Sequence, residues 1–163
     1  MDANVSSDKQ LLLTRDFDAT PEQVWQAWTD PQQLRQWHAQ KPIEVTICEV
    51  DLRVGGRTFL CKHWVSGENE GKNTYCGWTF RKIEPLTCLD MLGFFADADG
   101  REVPASYYGA TVWPEQVEIS VELVPHTGGT RMTYRETILP LPKQAEWLND
   151  MLDKLAAHLD AQC

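Results

Sequence analysis

The sequence contains no long hydrophobic run and comparatively little positive charge. None of its apolar stretches approaches the roughly 18 residues that a membrane-spanning helix requires. Lys and Arg number 15 against 24 Asp and Glu, so the net charge of the 163 residues is −9. Nucleic acid and anionic membrane surfaces bind to basic protein faces, and we therefore expect neither as a partner. The excess of negative charge is most simply explained by solubility.

Cysteine is sparse and follows no metal-binding or redox pattern. The five cysteines are widely spaced and form no C-x-x-C pair, which argues against a zinc or redox site. Most of them lie in apolar, strand-like runs, where Cys acts as a small hydrophobic residue. Residues 1–9 also lack the apolar core of a secretory signal. These features predict a cytoplasmic protein. The cysteines are Cys48, Cys61, Cys76, Cys88 and Cys163.

Motifs of the common enzyme classes are missing as well. The chain has no G-x-S-x-G, no phosphate-binding loop and no H-E-x-x-H. Asp97, Asp99 and Gly100 resemble part of a calcium loop, but the EF-hand spacing and its closing Glu are absent, so we predict a turn. The sequence therefore specifies no nucleophile, no metal, no cofactor and no named reaction.

The most regular segment of the chain is an amphipathic helix at its end, predicted over residues 142–160. Its apolar residues recur at helical spacing, and Pro142 suits the first turn, where the missing N–H costs nothing. Trp147 widens the apolar stripe. A helix with this wide an apolar face must cover something large. The stripe consists of Leu148, Met151, Leu152, Leu155 and Leu159.

Much of the preceding chain alternates with the two-residue period of β-strands. The clearest case is 116–124, where Val117, Ile119 and Val121 share one face. Gly128 and Gly129 predict a hairpin turn after it. Residues 105–115 receive no assignment. The predicted strands are 10–19, 43–50, 57–65, 74–84, 89–96, 116–124 and 131–138.

Two short helices are predicted after the first strand. Thr20 and Gln23 match a capping box with Pro21 at the first helical position, and Asp30-Pro31 repeats the start signal ten residues later. Strands in succession followed by one long helix predict an antiparallel sheet with a helix on one face, an α+β fold. We expect residues 1–9 to be flexible and residues 10–163 to form a single domain.

A set of motifs runs along the chain in a fixed order. It begins with FDATPEQVWQAWTDP at 17–31, followed by Leu34 and Trp37. Jointly the motifs resemble the SRPBCC (START-like) superfamily, and within it the branch similar to the C-terminal domain of the activator of the Hsp90 ATPase. The resemblance covers residues 10–160. The further motifs are DLRVGGR at 51–57, IEP at 83–85, FADADG at 95–100, VP at 103–104, YG at 108–109, GTRMT at 129–133 and LDKL at 152–155.

This resemblance implies a helix-grip fold, in which a curved antiparallel sheet of six to seven strands wraps around the C-terminal helix and often encloses an apolar cavity. Such folds serve as lipid carriers, cyclases, hormone receptors and co-chaperones, so the fold alone does not settle function. Our first hypothesis is a protein that binds a small apolar or amphipathic molecule. The alternatives are a co-chaperone-like module with a chaperone partner, and an enzyme of the cyclase or hydrolase type. Monomer and homodimer both stay open.

The walls of the expected cavity follow from the inward faces of the strands and of the long helix. We expect them to be formed by Trp78, Phe80, Met91, Phe95, Ile119, Val121, Met132, Tyr134, Met151 and Leu155.

A few polar residues are candidates for contact with the ligand. His63 orients a polar group if it faces inward, although a histidine at a strand edge is the simpler interpretation. Glu136 shares a strand face with Tyr134, and a carboxyl group in an apolar pocket would have a raised pKa. Pairing of Glu136 with Arg135, Arg81 or Arg15 outside the sheet is the simpler account. Tyr108, next to Tyr107, is a candidate for a lid, and His38 lies either near the cavity mouth or on the surface.

Overall fold

Strands dominate the structure, a computed structural model that describes residues 3–6, 10–39, 41–110, 117–137 and 144–162. Within these residues nine strands form one sheet, accompanied by three α-helices. The helices are α1 (Pro21–Thr29), α2 (Pro31–Trp37) and α3 (Gln144–Asp160). The strands are β1 (Ala3–Ser6), β2 (Gln10–Phe17), β3 (Ile43–Val50), β4 (Arg57–Trp64), β5 (Asn73–Glu84), β6 (Cys88–Ala96), β7 (Glu102–Val103), β8 (Val117–His126) and β9 (Gly129–Thr137).

The sheet is antiparallel throughout and curls around α3. Its strand order is β1-β2-β9-β8-β6-β5-β4-β3, and β7 pairs with the end of β6. Most neighbours are joined by short connections, whereas β2 pairs with β9 across almost the whole chain. Seven of the strands are long, as the sequence predicted, and the helix-grip fold is confirmed.

The two short helices begin at the predicted caps. The Thr20 hydroxyl accepts a hydrogen bond from the Gln23 N–H at 3.2 Å, and the Gln23 side-chain oxygen accepts one from the Thr20 N–H at 2.9 Å. Asp30 caps α2 by accepting a hydrogen bond from the Gln32 N–H at 2.9 Å. The caps fix where α1 and α2 start, and so direct their apolar faces onto the sheet.

Removing the first cap is expected to have a modest, local cost. The Thr20→Ala change leaves the Gln23 N–H without its acceptor, and we expect the free energy of unfolding to fall by about 1 kcal/mol. Thr127→Ala, in an exposed turn, is the control and should leave stability unchanged within about 0.5 kcal/mol. Urea unfolding followed by circular dichroism measures both. Equal stability of the two variants would show that the cap contributes nothing.

The apolar stripe of α3 is buried as predicted and packs against the sheet and the short helices. At this junction, Trp28 and Trp37 meet edge to face with ring centroids 4.8 Å apart. The Trp37 Nε1–H donates to the Ala27 carbonyl at 2.9 Å, so the buried indole is satisfied. None of the helices in the described ranges is long and apolar enough to cross a membrane.

Two segments differ from the sequence-based assignment, and one predicted boundary cannot be compared with the structure. Residues 3–6, expected to be flexible, pair with β2 as an edge strand in which Asn4 lies opposite Leu12. In the stretch we left unassigned, a single turn of 3-10 helix spans Ala105–Tyr108, and β7 precedes it. Pro142, the predicted start of the long helix, lies outside the described residues.

The aspartate-rich loop after β6 is a turn, as predicted. The Asp97 Oδ1 accepts hydrogen bonds from the N–H groups of Asp99 and Arg101 at 2.9 and 3.0 Å. The Arg101 guanidinium bridges both carboxylates, at 3.2 Å from Asp97 and 2.9 Å from Asp99. The oxygen atoms that suggested a calcium loop are therefore turned toward the loop's own N–H groups and toward arginine.

Candidate ligand-binding cavity

A cavity of about 910 Å³ lies between the concave face of the sheet and α3. Its walls come from β4, β5, β6, β8, β9 and α3, and the segment from Glu102 to Ser106 covers part of it. Ala110, Val117 and Gln144, which flank the two gaps at 111–116 and 138–143, also line it. The space is large enough for a small organic molecule.

Most of the residues predicted for the cavity walls do line it. Others share the correct strand or helix face but lie in the packed core, where no space is left between sheet and helices. The predicted residues that line the cavity are Trp78, Met91, Phe95, Ile119, Tyr134, Met151 and Glu136. The predicted residues buried in the core instead are Phe80, Val121, Met132 and Leu155.

His63 and Tyr108 require correction, because the structure does not bring them into the cavity. The His63 Nδ1 lies 2.7 Å from the Asn73 side-chain oxygen, and His63 points away from α3 because it alternates with inward-facing Lys62. The Tyr108 hydroxyl donates to the Ala96 carbonyl at 2.5 Å and accepts from the Tyr75 N–H at 3.1 Å. Tyr108 thus attaches the 3-10 turn to the sheet.

Glu136 points into the cavity and not toward the outer arginines that we favoured as partners. Its side chain is buried, with the residue only 6% exposed, and its Oε2 accepts a hydrogen bond from the Tyr134 hydroxyl at 3.3 Å. Burial raises the pKa of Glu136 to about 7, although hydrogen bonds to Gln144 and Tyr134 and the positive charge of Lys62 oppose the shift. The arginines pair elsewhere: Arg135 with Glu122, Arg81 with Glu118, and Arg15 with Asp153.

His38 is buried at the cavity wall, which agrees with a place near the cavity and not with the surface alternative. Its ring lies among those of Trp28, Trp37 and Trp78, with centroids 6.1, 5.2 and 5.0 Å away. Burial, helped by the charge of Lys62, holds the pKa of His38 well below its usual range, so the imidazole is neutral. Its Nδ1 and the Trp78 Nε1 have no hydrogen-bond partner among the described residues.

Lys62 is a charged cavity residue that the sequence reasoning missed. It lines the cavity and is only 7% exposed, and its ammonium group lies 4.9 Å from the centroid of the Trp147 ring. A cation over an indole face at this distance is attracted by the ring. The signal was present in the strand alternation, because Lys62 occupies the same face as Leu60 and Trp64.

The site thus combines a mainly apolar wall with a few converging polar side chains. Lys62 supplies a cation, Glu136 a carboxyl group that titrates near neutrality, and Tyr134 a hydroxyl group. Nowhere in the described ranges do three His, Cys, Asp or Glu side chains come close enough to hold a metal ion. The arrangement is suited to holding an amphipathic molecule in one orientation.

Comparison with known proteins identifies the family of this chain. The family model described as "Activator of Hsp90 ATPase homolog 1-like protein" matches residues 18–160. A comparison with curated proteins found no match.

Solved structures of bacterial proteins share the fold. A crystal structure from Mycobacterium smegmatis has a TM-score of 0.77 and 22% identity, covering 100% of this chain and 99% of that one. A solution structure from Arthrobacter aurescens has a TM-score of 0.78 and 23% identity, covering 98% and 91%. A crystal structure from Nitrosomonas europaea has a TM-score of 0.74 and 20% identity, covering 98% and 99%. With the family model matching most of its length, the chain belongs to the family of activator of Hsp90 ATPase homolog 1-like proteins.

Proposed function

We propose that this protein binds a small amphipathic molecule in the cavity between the sheet and α3. The observation that carries the proposal is the cavity itself, a partly open space of about 910 Å³ beside a packed core. Ligand sites in proteins are typically concave, mostly apolar spaces of about this size, which supports a small-molecule occupant. The fold commonly binds small hydrophobic ligands, which supports the same conclusion.

The wall chemistry supports an amphipathic rather than a purely apolar ligand. Met91, Ile119 and Met151 offer apolar contacts, and Met side chains adapt readily to the shape of a ligand. Lys62 and Glu136 offer polar contacts in the same space. A ligand without a polar group would desolvate both side chains and leave the Lys62 ammonium group without an anionic partner, which is unfavourable.

Filling the cavity from within is expected to abolish binding. Ile119→Trp places a large side chain into the space, and we expect the affinity for the neutral dye Nile red to fall at least about tenfold, because the dye loses its apolar contacts. The control is Val124→Trp, on the same strand but 57% exposed. Dye fluorescence titration measures the affinity, and circular dichroism checks that both variants fold.

The Nile red affinities of the two variants together test whether the dye binds in the cavity. Unchanged dye affinity in Ile119→Trp, or equal losses in both variants, would contradict binding in the cavity. Native mass spectrometry of the freshly purified wild type gives an independent readout, since a discrete bound mass that is absent from Ile119→Trp places the ligand in this space.

Chaperone binding is the second candidate function, and the family match is the observation that favours it. A co-chaperone would act through its surface, so the cavity would then be incidental. Stimulation of the ATPase activity of a purified Hsp90-type chaperone by micromolar protein would support this candidate. No stimulation, together with dye binding that Ile119→Trp abolishes, would leave ligand binding as the function.

A further inference from the structure

The ammonium group of Lys62 is a buried cation without an anionic partner among the described residues. Within those residues no carboxylate oxygen lies within 4.0 Å of it. Eight other Lys, Arg and His side chains do have a carboxylate oxygen within that distance. Lys is almost never buried unless it is paired, because desolvation of an unpaired charge is costly. The Trp147 ring compensates for part of this cost from one side. Lys62 lines the cavity, and its ammonium group donates no side-chain hydrogen bond to any of the described residues, so it can donate to a ligand.

Glu136 does not neutralise this cation directly. Its carboxyl group lies in the same cavity but beyond 4.0 Å from Lys62, and it is already hydrogen-bonded to Tyr134 and Gln144. The Trp78 Nε1–H is a second buried donor with no acceptor in the described parts of the chain. Lys62 and Trp78 therefore both line the cavity and carry donors that have no acceptor among the described residues.

We propose that Lys62 binds the anionic head of the ligand, and that the ligand is an amphipathic monocarboxylate whose apolar body lies against Met91, Ile119 and Met151. This assignment rests on the proposed function and specifies its ligand class. A single cation balances a single negative charge, and a carboxylate accepts hydrogen bonds from an ammonium group at short distance. The apolar walls exclude a ligand with charge distributed over its whole length.

An amine ligand anchored on Glu136 is the opposite arrangement. Aromatic rings around a carboxylate can hold a cation, and Trp28, Trp78 and Tyr134 line this cavity. Such a ligand would bring a second positive charge into the space that already holds Lys62. The positive charge of Lys62 therefore favours an anion, and an amine serves as one arm of the test.

The test compares three ligands that share one apolar chain and differ in the head group: decanoate, 1-decanol and decylamine. Each displaces Nile red from the wild type and from Lys62→Met, which conserves side-chain volume and removes the charge. We expect decanoate to bind the wild type about tenfold or more tightly than 1-decanol. In Lys62→Met this preference should disappear, while the affinity for 1-decanol stays the same. Lys62→Arg should keep the preference for decanoate.

The matched control is Lys72→Met in the exposed loop between β4 and β5, where the Lys72 Nζ donates to the Asn69 side-chain oxygen at 3.2 Å. This control should behave like the wild type with all three ligands. Equal affinity of wild type for decanoate and 1-decanol, or a decanoate preference that survives in Lys62→Met, would overturn the assignment of Lys62. Tighter binding of decylamine would overturn it in favour of Glu136. Failure of every ligand and of Nile red would instead contradict the proposed function.

Discussion

Replacing Trp37 with Ala is expected to lower the free energy of unfolding by about 3–5 kcal/mol. The side chain is 0% exposed, it packs against Trp28 at 4.8 Å between centroids, and it donates a hydrogen bond to the Ala27 carbonyl. Truncation removes the buried apolar area, opens a void between α1 and α2, and leaves that carbonyl without its partner. Urea unfolding followed by circular dichroism measures the change without relying on the lost fluorophore.

The matched control is Tyr107→Ala. Tyr107 is an aromatic side chain of the 3-10 turn and is 60% exposed. Its removal should change stability by only about 0.5 kcal/mol. If both variants lost the same free energy of unfolding, the buried Trp37 side chain would stabilise the protein no more than an exposed aromatic residue does. A Trp37→Ala protein that kept wild-type stability would contradict the packing described for α1 and α2.

The second large effect is a pH dependence of stability that originates in Glu136. The pKa of this carboxyl group is about 7 in the folded protein, against an ordinary value of 4.5. Between these values the folded state binds the proton and the unfolded state does not, so stability falls as the pH rises from about 4.5 through 7. Comparing pH 5 with pH 8, we expect this group alone to remove about 2–3 kcal/mol.

Glu136→Gln isolates this contribution, because it keeps the shape of the side chain and removes the titration. We expect the wild type to lose about 2–3 kcal/mol more than Glu136→Gln between pH 5 and pH 8 in urea unfolding. Parallel curves for the two proteins would contradict a raised pKa. Since the Gln variant keeps a hydrogen-bonding group near Tyr134, its stability at pH 8 should equal or exceed that of the wild type.

The other titratable groups around Glu136 are common to both proteins. Lys62, Cys76 and Glu102 line the same cavity, and Tyr134 contacts Glu136 directly. His38 acts in the opposite direction: its folded pKa is lowered, so protonation of the unfolded chain destabilises the protein as the pH falls below about 6.5. The difference between wild type and variant cancels these shared contributions to first order.

The sequence predicted the helices and strands best where a local signal, such as residue alternation or a capping box, is strong. The strand Ile43–Val50 has the predicted bounds, and α1 begins at the capping box of Thr20 and Gln23. The short edge strand Ala3–Ser6 was missed because four residues carry too little alternation, and its pairing depends on β2. Residues 105–108 were left unassigned because a single 3-10 turn has no periodicity of its own.

The cavity was harder to predict than the fold because it depends on which strand face is inward. In β4 a shift of one residue exchanges Lys62 for His63, and the conventional preference for an exposed lysine selects the wrong one. His38 follows the end of a helix, a position that is normally exposed, and only packing against Trp78 reveals its burial. How far the cavity extends along the strands depends on where the core packing begins, which a periodic pattern does not show.

The pairing of β2 with β9 has a consequence for how the chain acquires its structure. Phe17 lies opposite Thr130, and Gln10 opposite Thr137, so each pair is separated by more than a hundred residues. During synthesis from the N-terminus, β2 emerges early but has no β9 to pair with until nearly the whole chain has been made. Sheet closure and docking of α3 are therefore late events, and non-local pairing of this kind slows folding. Until then the inner face of β2 is exposed, which makes the incomplete chain prone to aggregation through this unpaired strand.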